Sequence, residues 1–424
     1  MTELVPALAS GRLAVRDLVA ALLARVDATD DGIHAWAHLD RDRALAQAAR
    51  LDALPAAQRG SVFGLPLGVK DIVDTADLPT QLGSPVGAGR RPERDARCIA
   101  RWRAAGGFVL GKTVTTEFAF MHPGPTANPW NPRHTPGGSS SGSAAAVALG
   151  QVPAAIGTQT NGSVIRPAAY CGVVGFKPTV DAIPTAGVHP FSARFDTVGT
   201  FARSVADAAR LASVLADPGC IAPDVAPLAR PPNLAYLGQF PWTQHDRAAS
   251  AAVDAAVARL AGQATVTPVA IDVPWREADR VLRTIMLYEG ARALAELQAR
   301  ERGRLTPALN AALDEGRTIG AADYRDAMAA RERAVGYFTR WADGFDAVLA
   351  PAAPGVAPRG IETTGDPSCC TLWSLVGFPA LTLPAGMLGT LPVGLQLAAP
   401  QGRDDRLLSV AAWCERELPF AGLA

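Results

Sequence analysis

Three side chains in this sequence stand out by their rarity. Lys70, Lys112 and Lys177 are its only lysines, and the other 37 of its 40 basic residues are arginine. Arginine keeps its proton inside a protein, whereas lysine gives it up when removed from water. A position that needs a neutral amine as a base is therefore one that arginine cannot fill. Lys70 lies in an apolar segment flanked by glycine and proline, Gly64-Leu-Pro-Leu-Gly-Val-Lys-Asp71. Two loops rich in glycine and serine follow. They are Pro136-Gly-Gly-Ser-Ser-Ser-Gly-Ser-Ala-Ala-Ala-Val147 and Gly157-Thr-Gln-Thr-Asn-Gly-Ser-Val-Ile-Arg-Pro-Ala168. Both present hydroxyls on backbone free to take unusual φ/ψ angles and to expose N–H groups. Each alone reads as a tight turn capping a helix; beside Lys70 they read as more. A serine nucleophile needs a base, and neither His189 nor His245 sits in an Asp…His pattern. A buried neutral lysine can serve instead. The glycine-rich backbone before Ser163 can aim several N–H groups at one oxyanion, usually the greatest single source of rate enhancement in acyl transfer.

Two further matches carry chemistry in pattern only. Gly106 to Thr113, Gly-Gly-Phe-Val-Leu-Gly-Lys-Thr, satisfies the phosphate-loop pattern. That loop needs a strand before it and a helix starting at its lysine. Here a helical segment precedes it and the strand-like Val114–Phe120 follows, so nucleotide binding is not expected. Gly138-Ser-Ser-Ser-Gly142 satisfies the G-x-S-x-G elbow, but Asn131-Pro-Arg-His-Thr-Pro136 ahead of it cannot be a central strand.

These groups need a framework to hold them. Segments 13–53, 95–105, 143–149, 247–342 (mostly) and 404–417 are predicted helical from composition and three- and four-residue apolar spacing. Segments 62–73, 108–110, 345–350 and 380–383 read as strands with their turns. Strands alternating with helices argue for an α/β class. Pro367 to Gln401 carries no charge, yet glycine and proline interrupt it every few residues. That suits short buried strands rather than a membrane helix.

At 424 residues, 49% hydrophobic and 19% charged, the chain can bury a sizeable core. Forty acidic residues balance forty basic ones, which removes the electrostatic argument for nucleic acid or a membrane surface as partner. Six cysteines without C-x-x-C spacing read as reduced, mostly buried thiols of a cytoplasmic protein. The N-terminus lacks the basic patch and apolar run of a signal peptide. No metal or cofactor is expected.

At the lysine segment and the two serine loops the chain resembles the amidase signature family. The resemblance continues through Cys171-Gly-Val-Val-Gly-Phe-Lys-Pro178, Asp196-Thr-Val-Gly199, Gly377-Phe-Pro-Ala-Leu-Thr-Leu-Pro-Ala-Gly386 and Pro392-Val-Gly-Leu-Gln396, and so covers nearly the whole chain. It implies a single domain built on a large mixed β-sheet sandwiched between helices. Within that domain, 1–60 would be an N-terminal helical part and 61–230 the catalytic core. Residues 231–345 would be a mostly helical variable region and 346–424 a return to the core sheet. The resemblance further implies a Ser–cis-Ser–Lys triad, with Ser163 as nucleophile, Ser139 as the bridging serine after a cis peptide, and Lys70 as base. Backbone N–H groups of Thr160, Asn161, Gly162 and Ser163 would form the oxyanion hole. Activity would fall in acid, where Lys70 is charged.

The chain also departs from the family. The usual Gly-Thr-Asp-Thr-Gly-Gly-Ser-Ile-Arg has Gln159 for its Asp, Asn161 for its first Gly of the pair and Ile165 for its Arg. An acid and a base are missing together, as when an ion pair is lost as a unit. Arg166 stands one place later. This variant looks like the malonamidase-like branch, which acts on small amides bearing a carboxylate. Arg166 is the candidate clamp for that carboxylate; a structural ion pair is the competing reading. Lys112, Lys177 and Arg194 are assigned structural or surface roles, and Asp71 is expected to orient Lys70 or its turn. Substrate selection is expected from 230–345 and from loops around 120–135 and 360–375. A small-molecule amide is the expected partner, with a homodimer as the assembly the family implies. The alternatives are the glutaminase subunit of a tRNA-dependent amidotransferase and, more remotely, a non-catalytic binding protein on the same fold.

Overall fold

The computed structural model describes residues 1–272 and 275–423. Positions 273 and 274, inside the stretch expected to be mostly helical, lie outside the described residues. Eleven strands form one sheet: β1 (Trp36–His38), β2 (Pro66–Lys70), β3 (Phe108–Thr113), β4 (Ala154–Gln159), β5 (Val174–Lys177), β6 (Thr197–Ala202), β7 (Asn233–Tyr236), β8 (Thr265–Pro268), β9 (Ala347–Pro351), β10 (Ala380–Leu388) and β11 (Leu391–Ala398). Their order is β1-β3-β2-β4-β6-β5-β10-β11-β9-β7-β8. β2 runs parallel to β3 and β4, and β7 parallel to β8 and β9; the other pairs are antiparallel. All four segments of the chain contribute strands to the sheet.

Strands β2, β3, β4 and β6 are buried at every residue. Continuous burial without alternation is what a sheet covered on both faces requires. The register shows how the faces are used. Lys70 lies beside Thr113, whose hydroxyl meets Ser143 of helix Ser141–Ala148 at 2.7 Å. Val69 lies beside Lys112 and Ile156, and Ile156 beside Thr200, whose hydroxyl bonds Ala208 of helix Val205–Leu215. Neighbours in register share a face and successive residues alternate. Lys70 and Lys112 therefore face opposite sides of the sheet, Lys70 on the side of helix Ser141–Ala148 and Lys112 where the turn over 73–80 takes its amine. This is the mixed sheet between helices that the sequence leads one to expect.

Local differences have physical causes. The helix expected over 13–53 is two helices, Val15–Thr29 and Arg41–Asp52, separated by β1, which adds an edge strand to β3. The strand-like Val114–Phe120 is no strand. It turns through Phe118 and Ala119 at φ +47° and +58°, where Glu117 is drawn inward to accept from Ser84 Oγ and from Thr306 N and Oγ1. Those long-range bonds override local strand propensity. The phosphate-loop pattern falls on β3 itself, with no helix at its lysine. The uncharged stretch holds the short helix Thr371–Leu375 and the β10–β11 hairpin, which turns at Gly389, φ +61°. Glycine takes that angle at no steric cost. Among the described residues no helix is long and apolar enough to cross a membrane.

Candidate active site

Lys70 ends β2 with no exposed surface. Its Nζ lies 2.7 Å from Ser139 Oγ, 2.8 Å from Thr158 Oγ1 and 3.4 Å from the Thr158 carbonyl oxygen. Burial pushes the amine well below its ordinary 10.5, with Asp196 the opposing charge. These neighbours suit the neutral form. A neutral amine has two N–H groups and one lone pair. Thr158 can accept from both N–H groups, through Oγ1 and its carbonyl. The lone pair is then left for the Ser139 hydroxyl. An ammonium in the same place has no carboxylate in contact.

Ser139 follows a cis peptide bond from Gly138 and lies just ahead of helix Ser141–Ala148. That helix can come so close to the sheet because its side chains are small. A Cβ on Gly142 would sit 2.1 Å from the Ala35 carbonyl oxygen and 2.3 Å from Val114 N. Ser140 Oγ accepts from Thr158 N and donates to Thr158 O, at 3.3 and 3.2 Å, tying the first serine loop to β4.

The second loop leaves β4 at Gln159 and enters helix Ile165–Cys171. Gln159 is fully buried. Its Oε1 accepts from Val164 N and Ile165 N at 2.9 and 3.1 Å, capping the helix start without a charge. Gly162 takes φ +79° just before Ser163, which is 7% exposed. Asn161 does not adopt a left-handed φ, so its side chain meets no backbone penalty there, and Nδ2 donates to Thr371 Oγ1 at 3.2 Å. Thr160 Oγ1 donates to Asp196 at 2.5 Å.

Arg166 is buried on helix Ile165–Cys171. Its Nη2 donates to the Gly138 carbonyl at 2.7 Å and to Thr364 Oγ1 at 3.2 Å, while Nε and Nη1 are buried without a hydrogen-bond partner. No ion pair to Arg166 occurs among the described residues. The structural ion-pair reading thus has no partner to point to.

Ser139, Thr160, Asn161, Ser163 and Arg166 line one cavity of about 60 Å³. Thr364 and Pro367 close it from the 360–375 loop, Phe120 and Met121 from the 120–135 loop, and Met286 from helix Ala278–Ala293. Phe191, stacked on Phe120 with ring centroids 5.0 Å apart, completes the wall from a segment the sequence did not single out. A larger hollow of about 520 Å³ opens elsewhere, beside Cys171, Arg203 and Phe420, and holds none of these groups.

The other residues weighed from sequence lie apart. Lys112 Nζ donates to Val73 O at 2.8 Å and to Thr80 Oγ1 at 2.5 Å, and pairs with Asp71 at 3.4 Å. Asp71, expected to orient Lys70, instead pairs with Lys112 and accepts from Gln81 N. Lys177 Nζ donates to the Pro178 carbonyl at 2.8 Å. Arg194 is exposed and faces Glu289 at 3.9 Å. Five cysteines are buried and Cys220 is exposed. Sequence reading missed Thr158 and gave Asp196 no role beyond its motif. Both are brought in by sheet register, and no local spacing announces them.

A sequence model described as Amidase matches residues 17–408. A glutamyl-tRNA(Gln) amidotransferase subunit of Synechococcus sp. (strain WH7803) is 34% identical, over 95% of this chain and 94% of its own length. Among solved structures, one described as an amidase superposes with a TM-score of 0.88 at 32% identity, covering 98% of this chain and 99% of the other. The native peptide amidase from Stenotrophomonas maltophilia gives 0.83 at 30% identity, covering 97% and 95%.

Proposed function

The chain belongs to the amidase family and is a hydrolase of amide carbon–nitrogen bonds, and from that premise we propose that it cleaves a small, carboxylate-bearing amide through a Ser163 acyl-enzyme. The observation that carries this reading is a buried lysine, held by hydroxyls and a carbonyl alone, 2.7 Å from Ser139 beside a cavity shared by both serines and an unpaired arginine.

Ser163 Oγ attacks the amide carbon. Its proton passes to Ser139, and the Ser139 proton passes to the Lys70 lone pair. The carbonyl electron pair moves onto oxygen, where backbone N–H groups of Thr160, Asn161, Gly162 and Ser163 receive it. Collapse breaks the C–N bond, and Lys70 returns a proton through Ser139 to the departing nitrogen. Water then attacks the ester carbonyl while its proton passes through Ser139 to Lys70; collapse breaks the C–Oγ bond, the proton returns through Ser139 to Ser163 Oγ, and the acid is freed. Only the neutral lysine can begin this cycle.

The Arg166 guanidinium supports the substrate class. A buried charge with two idle nitrogens is costly unless paired, and a carboxylate matches its planar fork. The cavity volume, about 60 Å³, is on the order of four to six water-sized spheres, which suits a short chain. Arg166→Leu should raise KM for malonamate at least ~30-fold, from the lower end of the cost of truncating a buried charge pair. KM for the neutral malonamide should change little. An unchanged preference between the two would sink the clamp.

The glutaminase reading is favoured by the amidotransferase relative. The purified chain, assayed alone on glutamine and on malonamate, separates the two. Hydrolysis of malonamate only supports the small-amide reading; hydrolysis of glutamine only supports the glutaminase reading.

A further inference from the structure

The triad reading leaves one charge unexplained. Lys70 must become an ammonium during each turnover, yet among the described residues the hydrogen-bond partners of its Nζ are hydroxyls and a carbonyl. Asp196 is the nearby opposing charge. It begins the Asp196-Thr-Val-Gly199 segment and precedes β6, which pairs with β4, the strand that carries Thr158. Its Oδ1 accepts from Thr160 Oγ1 at 2.5 Å, and its Oδ2 accepts from Phe191 N at 2.7 Å and Ser192 N at 2.9 Å. One carboxylate thus clasps a residue of the oxyanion loop on one side and the Phe191 wall of the cavity on the other.

We propose that Asp196 is a positioning residue for amide hydrolysis, fixing Thr160 of the oxyanion loop against the cavity wall and facing the lysine that takes up the proton. The inference rests on the reading of Lys70 as base. Its carboxyl is held near 6 by burial, against the three hydrogen bonds and the Lys70 charge that favour ionisation. Two neighbouring charged groups, Arg194 on this loop and Glu289 on helix Ala278–Ala293, are engaged with each other. Glu289 accepts from Ser192 Oγ and Tyr324 Oη at 2.7 Å each, and Arg194 faces Glu289. That leaves Asp196 as the charge that answers Lys70.

Two substitutions separate the two duties. Thr160→Val removes the tie and keeps the charge. It should lower kcat roughly 10-fold or more, the scale of losing a hydrogen bond to a charged group. KM and the acid limb of the kcat/KM profile should stay in place, and Thr160→Ser should restore the rate. Asp196→Asn removes the charge as well. It should lower kcat roughly 10- to 100-fold and move the acid limb to lower pH, because the opposing charge that raises the lysine's affinity for protons is gone. Normal kcat in Asp196→Asn with an unmoved limb overturns the proposal. So does a fall in melting temperature with kcat per folded molecule intact. If Asp196→Asn does not fold, Thr160→Val decides, and wild-type kcat there overturns the proposal. Ser163→Ala is the control. If it retains full activity, the triad reading itself fails. If it is inactive while Asp196→Asn behaves as wild type, only the role of Asp196 fails.

Discussion

Lys70 and Lys112 stand on neighbouring strands, one register step apart, and neither has exposed surface. Their surroundings differ in one decisive respect. Lys112 has Asp71 at 3.4 Å, with two carbonyls and a hydroxyl to accept its protons, and its amine lies at about 8. Among the described residues Lys70 has no acid within ion-pair distance, and burial pushes its amine well below the ordinary 10.5. Burial is common to both. A carboxylate in contact lets one lysine remain a cation that binds strands and turns together; its absence leaves the other an amine ready to accept a proton. Being buried does not make a lysine a base; what surrounds it does.

The widest separation should come from arginine. Lys70→Arg keeps the charge and abolishes the base. It should cost about 10³-fold in kcat, within the range for losing a positioned general base, with circular dichroism showing a folded chain. Lys112→Arg should retain activity per folded molecule. Equal losses at both sites would erase the distinction.

Next in size is stability. Lys112→Met leaves Asp71 buried without its partner, and breaking such a pair costs about 3–5 kcal/mol, read from urea unfolding. Adding Asp71→Asn should recover part of the loss. The rate per folded molecule should not move, since neither residue lines the cavity.

Acidity distinguishes the pair again. As pH falls, Lys70 gains its proton and kcat/KM falls, on a limb lying well below 10.5. Lys112 should leave no mark on that profile; its mark is on stability. Between about 8 and 10.5 the unfolded chain holds a proton on Lys112 that the folded chain has lost. Stability from this group therefore rises with pH across that window. Lys112→Met should show a smaller alkaline rise in unfolding free energy, with Lys70 and Lys177, whose amines burial also lowers, supplying what remains.

Much of this contrast is legible in the residues. The motif order points to Lys70, Ser139 and Ser163; in the structure the two serines line one cavity and Lys70 Nζ lies 2.7 Å from Ser139 Oγ. The Gly/Pro spacing of 367–401 correctly argues for strands over a membrane helix. Asp71 is the instructive failure. It follows Lys70 directly, and at the end of an extended strand consecutive side chains point to opposite faces. The period-two rule, applied one residue further, would have sent Asp71 toward Lys112. Thr158 and Asp196 lie 88 and 126 residues beyond Lys70, and only the register of β2, β4 and β6 brings them near it. The β1 strand was hidden for a related reason. Three residues between two helices form a strand because β3 offers them an edge, not because of their own preference.

The finest test changes one hydroxyl at each lysine. Thr158 Oγ1 and Thr80 Oγ1 lie 2.8 and 2.5 Å from Lys70 and Lys112. Valine matches threonine in shape, so each substitution removes a hydrogen bond with little change in packing. At Lys112 the carboxylate and the Val73 carbonyl remain, and Thr80→Val should cost about 1 kcal/mol of stability with kcat unchanged. At Lys70 the lost acceptor is one of the two that take the amine's N–H groups and so aim its lone pair at Ser139. Thr158→Val should therefore lower kcat, by roughly threefold to tenfold, and shift the acid limb to lower pH, since an acceptor that favours the ammonium is gone. A stability loss at Thr158 with an unmoved profile would mean that the two lysines differ in their neighbours but not in their work.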